Sequence, residues 1–365
     1  MPSRLVIICQ RFPYPARRGD QLAVSKLIEA AVKEKVEVIC YFVSGASCVQ
    51  KTGVEFIQLK FSIRSCLRQL HKAMFQPLQL TLFCGYRVDV LSDDDVIYIH
   101  TIRLSNSIPV KKWAQASLAP QIDFSAEFME RSSSSSNLLF KAIFALEAFL
   151  IRRWQRRNFP LFQKLFRVVN TEFQDYSDVN LITSPHGFKA SRVTRDLRPR
   201  ESKTRFTIGF WGNLAFQPNI DACIKLLAEL GDDDRFIILI FGQHSDGVKT
   251  KARNVKLLGA VDSVDEHIKD CDAMLNLIKT GGGFQNKTIE AWAQGIPVFG
   301  YEQAFRGLSG ISNIIQNYEN ANKLYADLLA IDRASFSKLS TDWILENWNE
   351  EKNAKAKLME LGFNL

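Results

Sequence analysis

Three consecutive glycines, Gly281, Gly282 and Gly283, run into Phe284, Gln285, Asn286 and Lys287, with Glu290 three residues beyond the lysine. Glycine lets the main chain approach a ligand closely, and a helix starting near Asn286 would turn its unpaired N–H groups toward an anion. Lys287 and Glu290 then share one helix face, the ammonium suited to phosphate and the carboxylate to ribose hydroxyls. An ordinary i, i+3 ion pair has the same spacing.

Two further glycine turns have the makings of anion sites. After an apolar run at Leu5 to Cys9, two prolines delay any helix until Gly19, where Asp20 is placed to cap the helix that follows. After a second run, Thr207 to Trp211, Gly212 and Asn213 would close a tight turn, and Asn219 could cap the next helix. Either turn also reads as a plain strand-to-helix connection.

The remaining candidates are single side chains. His100 ends a predicted strand, where a neutral imidazole could hydrogen-bond a sugar hydroxyl, or could be a satisfied core histidine; Arg103 lies one turn on. Asp123 and Glu127 follow another predicted strand. Three Asp-x-Asp spacings, at 93 and 95, 232 and 234, and 270 and 272, could hold a hard cation. Each precedes a strand in a polar turn, so solvated loop acids are expected there, with no metal.

These residues need a framework that presents strand ends to a ligand. Strand-like runs are predicted at Leu5 to Cys9, Val36 to Val43, Val54 to Leu59, Val96 to Ile99, Gln121 to Phe124, Phe166 to Asn170 and Asn180 to Thr183. After a polar, charged stretch from Arg195 to Arg205, they resume at Thr207 to Trp211, Phe236 to Phe241, Val255 to Leu258, Ala273 to Asn276 and Pro297 to Tyr301. Strands alternating with helical stretches are the pattern of parallel α/β sheets, whose ligand sites lie at the carboxyl edges. A helical region from about Ser335 carries Trp343 and Trp348, whose rings need cover.

At 365 residues the chain exceeds what one core usually supports, so two domains are expected. Seven cysteines without C-x-x-C spacing read as buried free thiols in a reducing compartment, and the first residues form a strand rather than a leader, so a cytoplasmic protein is expected. The net charge of +8 is concentrated in the first half: residues 1–200 hold 29 Lys and Arg against 17 Asp and Glu. That excess points to an anionic partner or to a solvated basic face. Nothing resembles a groove-reading or base-stacking element, so nucleic acid is not expected.

Serines 132–136 read as a mobile loop. The next segment, Asn137 to Arg157, is apolar with Arg152, Arg153, Arg156 and Arg157 at its end, and is too short and too charged to span a bilayer. It fits a long helix packed on the sheet, or an interfacial helix on an anionic membrane surface.

The segment CQRFPYPARRGDQ, with Phe12, Pro13, Tyr14, Pro15, Gly19 and Asp20, resembles the opening of bacterial family 4 glycosyltransferases of the GT-B fold, especially sugar transferases associated with exopolysaccharide and exosortase systems. GFWGNLAFQPNIDACIKLL is similar to that family's second-domain opening, and GFQNKTIEAWAQGIPVFG to its donor-binding block. The resemblance implies α/β architecture with two Rossmann-like domains facing across a cleft, residues 1–198 and 199–340, and a C-terminal helical segment, 341–365, packing back toward the first domain. It implies metal-independent transfer, with retention, of a hexose from a UDP- or GDP-sugar to a polysaccharide or lipid-linked glycan, in polysaccharide biosynthesis, by a protein peripheral on the inner face of the cell membrane. No cofactor beyond the nucleotide-sugar co-substrate is implied.

By the same resemblance, His100, Lys287 and Glu290 are the catalytic candidates, with Glu290 matching the ribose-binding glutamate. Gly19, Gly212, Asn213, Gly282, Gly283, Phe284, Gln285 and Asn286 join Lys287 and Glu290 around the donor. Asp20, Arg103, Asp123 and Glu127 fall on the acceptor side. His186 replaces the Asn of a strand-ending turn usually written P-N-G and is expected to be structural. Where the wider family has Glu, this chain has Gly282, which offers no carboxylate to the donor sugar; that keeps open a non-catalytic, nucleotide-binding partner subunit of the same fold.

Overall fold

The computed structural model describes residues 4–16, 18–45, 50–65, 67, 76–120, 122–135, 137–195, 204–279, 284–308 and 311–365. Gly281, Gly282 and Gly283 lie outside this set, as do Cys48, Cys66, Gln121, Ser136 and most of the charged stretch expected to link the domains. The chain divides into two compact units, Met1–Gly187 with Glu350–Leu365, and Phe188–Asn349.

The first unit is built on a seven-stranded sheet of order β3-β2-β1-β4-β5-β6-β7. Its strands are β1 Arg4–Arg11, β2 Glu37–Ser44, β3 Val54–Gln58, β4 Asp95–His100, β5 Ala116–Ala119, β6 Lys164–Arg167 and β7 Leu181–Thr183. All neighbours pair in parallel. The helices are α1 Gly19–Lys33, α2 Leu78–Thr81, α3 Phe124–Ser134, α4 Leu138–Asn158 and, from the chain end, α10 Glu350–Glu360. Both faces of the sheet are covered, which is why β1 is apolar from Leu5 to Cys9: Val6 and Ile8 enter one core, Leu5 and Ile7 the other.

The second unit has a six-stranded parallel sheet of order β10-β9-β8-β11-β12-β13. It comprises β8 Phe206–Trp211, β9 Phe236–Phe241, β10 Val255–Gly259, β11 Ala273–Asn276, β12 Val298–Gly300 and β13 Gln316–Asn317, with α5 Gln217–Leu230, α6 Val264–Lys269, α7 Asn286–Ala293, α8 Ala321–Ala330 and α9 Arg333–Asn347. Trp343 of α9 finds its cover on Trp292 of α7, 5.8 Å between ring centroids.

Several expectations need correction. The boundaries expected at 198/199 and 340/341 fall at 187/188 and 349/350. The second shift arises because α9 packs inside the second unit, whereas α10 sends Leu358 into the first core and sets Glu350 beside Lys26 of α1 at 3.0 Å. The strand expected at Gln121 to Phe124 lies earlier, at β5. Asp123 is instead the N-cap of α3, accepting from the Ser125 and Ala126 amides, and that cap outweighs the strand propensity of Ile122 and Phe124. The strand expected at Phe166 to Asn170 likewise begins earlier, at Lys164. Ser132 to Ser134 complete α3 rather than forming a loop, with buried Ser132 donating to the Lys141 carbonyl. Residues 138–158 are helical, and no helix among the described residues is long and apolar enough to cross a membrane.

Candidate functional site

In the second unit the turn after β8 and the start of α7 come together through Lys287. Its Nζ donates to Asn219 Oδ1 at 2.7 Å and stands over the Phe210 ring, 5.2 Å from the centroid. Asn219 Nδ2 in turn donates to the Asn213 carbonyl at 2.8 Å, and Asn213 Oδ1 accepts from the Ala215 amide. Asn219 is therefore no helix cap: α5 begins at Gln217 after Phe216, with no side-chain cap, and Asn219 instead ties the turn to the lysine. Gly212 sits beneath this link, where a Cβ would stand 3.1 Å from both Asn219 Nδ2 and Lys287 Nζ.

Burial lowers the Lys287 ammonium to about 8, with the nearby Glu290 carboxylate opposing the shift. A lysine held at that value is still mostly charged near neutrality, and it is poorly hydrated, so an arriving phosphate meets little competition from water. Glu290 lies one turn along α7 from Lys287. Gln285 is the N-cap residue of α7 and makes no side-chain cap. Phe284 stacks on Trp348, centroids 4.5 Å apart and planes 16° from parallel, which pins the chain entering α7.

In the first unit the candidates gather at the carboxyl edge of the sheet, where Cys9 of β1 pairs with His100 of β4. His100 is buried. Its Nδ1 lies 3.4 Å from the Tyr98 hydroxyl, and its Nε2 has no hydrogen-bond partner among the described residues. Burial, reinforced by Lys357 of α10, holds the imidazole down at about 3, so it is neutral at physiological pH. Arg103 donates to Gln79 and Gln10 and lies over the Phe124 ring. Burial lowers its guanidinium, against the pull of Glu127 and Asp20.

Gly19 opens α1, with Arg18 as the N-cap residue, so Asp20 is not the cap expected of it. Asp20 sits in the first turn and pairs with Arg11 at 2.5 Å. Glu127 pairs with Arg131 one turn along α3, and Asp123 is engaged at the N-terminus of the same helix. His186 is half-buried and lines a cavity of about 10 Å³ together with Lys26, Ser184 and Lys357, among others.

Of the six acids at the Asp-x-Asp spacings, Asp93, Asp232, Asp234 and Asp270 are exposed, as expected of solvated loop acids, whereas Asp95 and Asp272 are not. Asp95 is buried and pairs with Arg4, and Asp272 is buried between the Thr207 amide and Arg333. Asp233 pairs with Arg235, and Asp93 with Lys112. Among the described residues no three His, Cys, Asp or Glu side chains gather as a metal site.

Residues 205–331 match the family model for glycosyl transferases group 1. They include β8, the Gly212 turn, Lys287 and Glu290. No curated protein matches the chain in sequence. Among solved structures the chain is similar to WaaG, a glycosyltransferase involved in lipopolysaccharide biosynthesis, at 13% identity and a TM-score of 0.61, over 98% of this chain and 100% of that one. It is similar to sucrose-phosphate synthase from Thermosynechococcus elongatus at 13% identity and 0.64, over 98% of each chain. It is also similar to the Anabaena protein HepE in complex with UDP, at 11% and 0.60, again over 98% of each. At such identities the likeness is one of fold.

The fold is GT-B. Within the GT-B second unit, the structure brings together Gly212, Asn213 and Lys287. Within the first it brings Asp20, Arg103 and Glu127 into one electrostatic neighbourhood. Sequence reasoning misassigned Asn219 and passed over Gln10, Tyr98 and Lys357. The apolar spacing of Ala354, Leu358 and Leu361 marks α10 as amphipathic, but nothing local places Lys357 beside His100.

Proposed function

We propose that this protein is a metal-independent glycosyltransferase that moves a sugar, with retention, from a UDP- or GDP-sugar to a polysaccharide or lipid-linked glycan. The observation that carries this reading is the half-desolvated Lys287 ammonium, fixed by Asn219 over the glycine turn at Gly212 and inside the segment that matches glycosyl transferases group 1. A cation held there suits a diphosphate leaving group, whose charge grows as the glycosidic bond breaks. The main-chain amides at the start of α7 would add to it.

Glu290 would accept hydrogen bonds from the ribose hydroxyls. His100, neutral because burial holds it near 3, would act by hydrogen bonding to a sugar hydroxyl rather than by proton transfer. Asp20, Arg103 and Glu127 would lie toward the acceptor, and the basic first half of the chain would meet an anionic glycan or membrane surface. HepE, solved with UDP and with UDP-glucose, supports a nucleotide sugar as the donor class.

The test is thermal stabilisation against a panel of nucleoside diphosphates and their sugars, for the parent, Lys287→Ala and Glu290→Ala. The parent should respond to one nucleotide family and both variants should respond less. Equal responses from parent and variants would remove the site. Binding without any release of nucleoside diphosphate in the presence of glycan acceptors would favour a non-catalytic partner subunit.

A further inference from the structure

The first unit carries an outward helix face whose character changes along the axis. Leu138, Leu139, Phe140, Ile143, Leu146 and Phe149 of α4 are all exposed, Leu139 at 67% and both Leu146 and Phe149 at 59%. The inner face of the same helix is Glu147, Ala148, Ile151, Trp154 and Gln155. Side chains three and four apart share a helix face, so the outward stripe through Leu139, Ile143, Leu146 and Phe149 runs on into Arg153, Arg156 and Arg157. The first three turns of this stripe are apolar and the last two are basic. Met129 of the adjoining α3 and Leu78 of α2 are exposed as well. Soluble surfaces rarely leave so many large apolar side chains together without a partner.

The charges on α4 identify the partner. Its single acid, Glu147, is turned inward, where it accepts from the Leu78 and Gln79 amides at 2.9 and 3.0 Å. Every exposed charge on the helix is therefore positive: Lys141, Arg152, Arg153, Arg156 and Arg157. A second copy of this chain would set those cations against their like, and a nucleic acid would leave the apolar turns uncovered. A bilayer with anionic headgroups satisfies both halves.

We infer that α4 is an oblique membrane-docking element: its N-terminal three turns enter the acyl boundary of an anionic bilayer and its C-terminal arginines rest on the lipid phosphates. Leu138 to Phe149 spans roughly 16 Å at 1.5 Å per residue, enough for the leading end to sink through the ~5–10 Å that interfacial helices reach. The inference extends the membrane surface proposed above, yet lipid binding can be scored apart from donor binding.

The experiment is co-sedimentation of the full chain with phosphatidylglycerol vesicles and with phosphatidylcholine vesicles. It compares the parent, a variant with Leu139→Gln, Leu146→Gln and Phe149→Gln, and a variant with Arg152, Arg153, Arg156 and Arg157 all changed to Gln. The parent should bind the anionic vesicles and lose binding with salt, and each variant should bind at least ~10-fold more weakly. Hydrogen exchange on the parent alone should show residues 138–149 protected by vesicles, a readout independent of how the variants fold. Absence of parent binding, undiminished binding by either variant, or a parent dimer that the apolar variant turns to monomer would each overturn the inference. Nucleotide-induced stabilisation, measured on the same samples, reports separately on the donor site.

Discussion

Lys287 and Asn219 are 68 positions apart and joined by a 2.7 Å hydrogen bond, which couples the helix after the glycine turn to the loop after β8. Asn219 spends its oxygen on the ammonium and its amide on the Asn213 carbonyl, so its side chain sets both the loop shape and the position of the cation. The bond leaves the ammonium with further donors for a ligand, because a protonated lysine has three.

If the ammonium holds a diphosphate, Lys287→Met should weaken nucleoside diphosphate binding by about 10- to 100-fold, the scale of one charge-assisted hydrogen bond. The pH dependence follows from its value of about 8. The binding form is the cation, present below that pH, so affinity should hold from 7 to 7.5 and fall as pH rises through about 8 to 9.5. Titration calorimetry on parent and Lys287→Met checks this: the variant should be weak and flat across the range, and a parent profile equally flat would exclude the lysine.

Gly212→Ala tests the same contact by sterics. A Cβ placed 3.1 Å from Lys287 Nζ and from Asn219 Nδ2 must push at least one of them aside. Nucleotide affinity should drop about as far as in Lys287→Met, with a smaller loss of thermal stability than Gly242→Ala. At Gly242 the φ is +112° and a Cβ would lie 2.4 Å from the Gly212 carbonyl, so backbone strain adds to a clash with main chain.

Strand positions were legible wherever an apolar run is buried on both faces, as at β1, β4, β8 and β9, since nothing local competes with the pattern there. The run at Gln121 to Phe124 misled because Asp123 offers its carboxylate to two amides, a local hydrogen-bonding choice that periodicity does not register. Lys287 and Glu290 could be placed on a helix from spacing alone. The partner of Lys287 could not: Asn219 looked like a helix cap in its own neighbourhood, and only the parallel order of β8 and β11 brings the two segments together. Buried Asp95 and Asp272 escaped for the same reason, because Arg4 and Arg333 are distant in sequence.

Asp272 gives a stability prediction distinct from the site. Its carboxylate is buried and takes a hydrogen bond from the Thr207 amide at 2.8 Å as well as pairing with Arg333. Removing one partner of such a buried pair strands the other charge, which typically costs ~3–5 kcal/mol. Asp272→Ala should therefore lower the urea midpoint of the second unit strongly, while Asp234→Ala, for which the structure offers no comparable pairing, should leave it within ~0.5 kcal/mol. If the two behave alike, the ion pair is not structural.

Acid should loosen the first unit through two desolvated histidines, His100 and His186. His100 is held near 3 by burial and then by Lys357, and His186 is held well below its ordinary value by burial, Lys357, His100 and Lys26. In the unfolded chain both take a proton near 6.5, so the unfolded state binds more protons than the folded one as pH falls below 6.5. The folded state is thus fully favoured by these groups above about 6.5 and loses ground as pH falls below it, for His100 down toward 3. At pH 5 the loss from His100 alone is about 2 kcal/mol. Urea unfolding of the parent should show a lower midpoint at pH 5 than at pH 7, and His100→Gln should reduce that drop, by about 2 kcal/mol in unfolding free energy. An identical drop in parent and variant would mean that His100 is already protonated in the folded protein, or exposed enough to exchange its proton with solvent in both states.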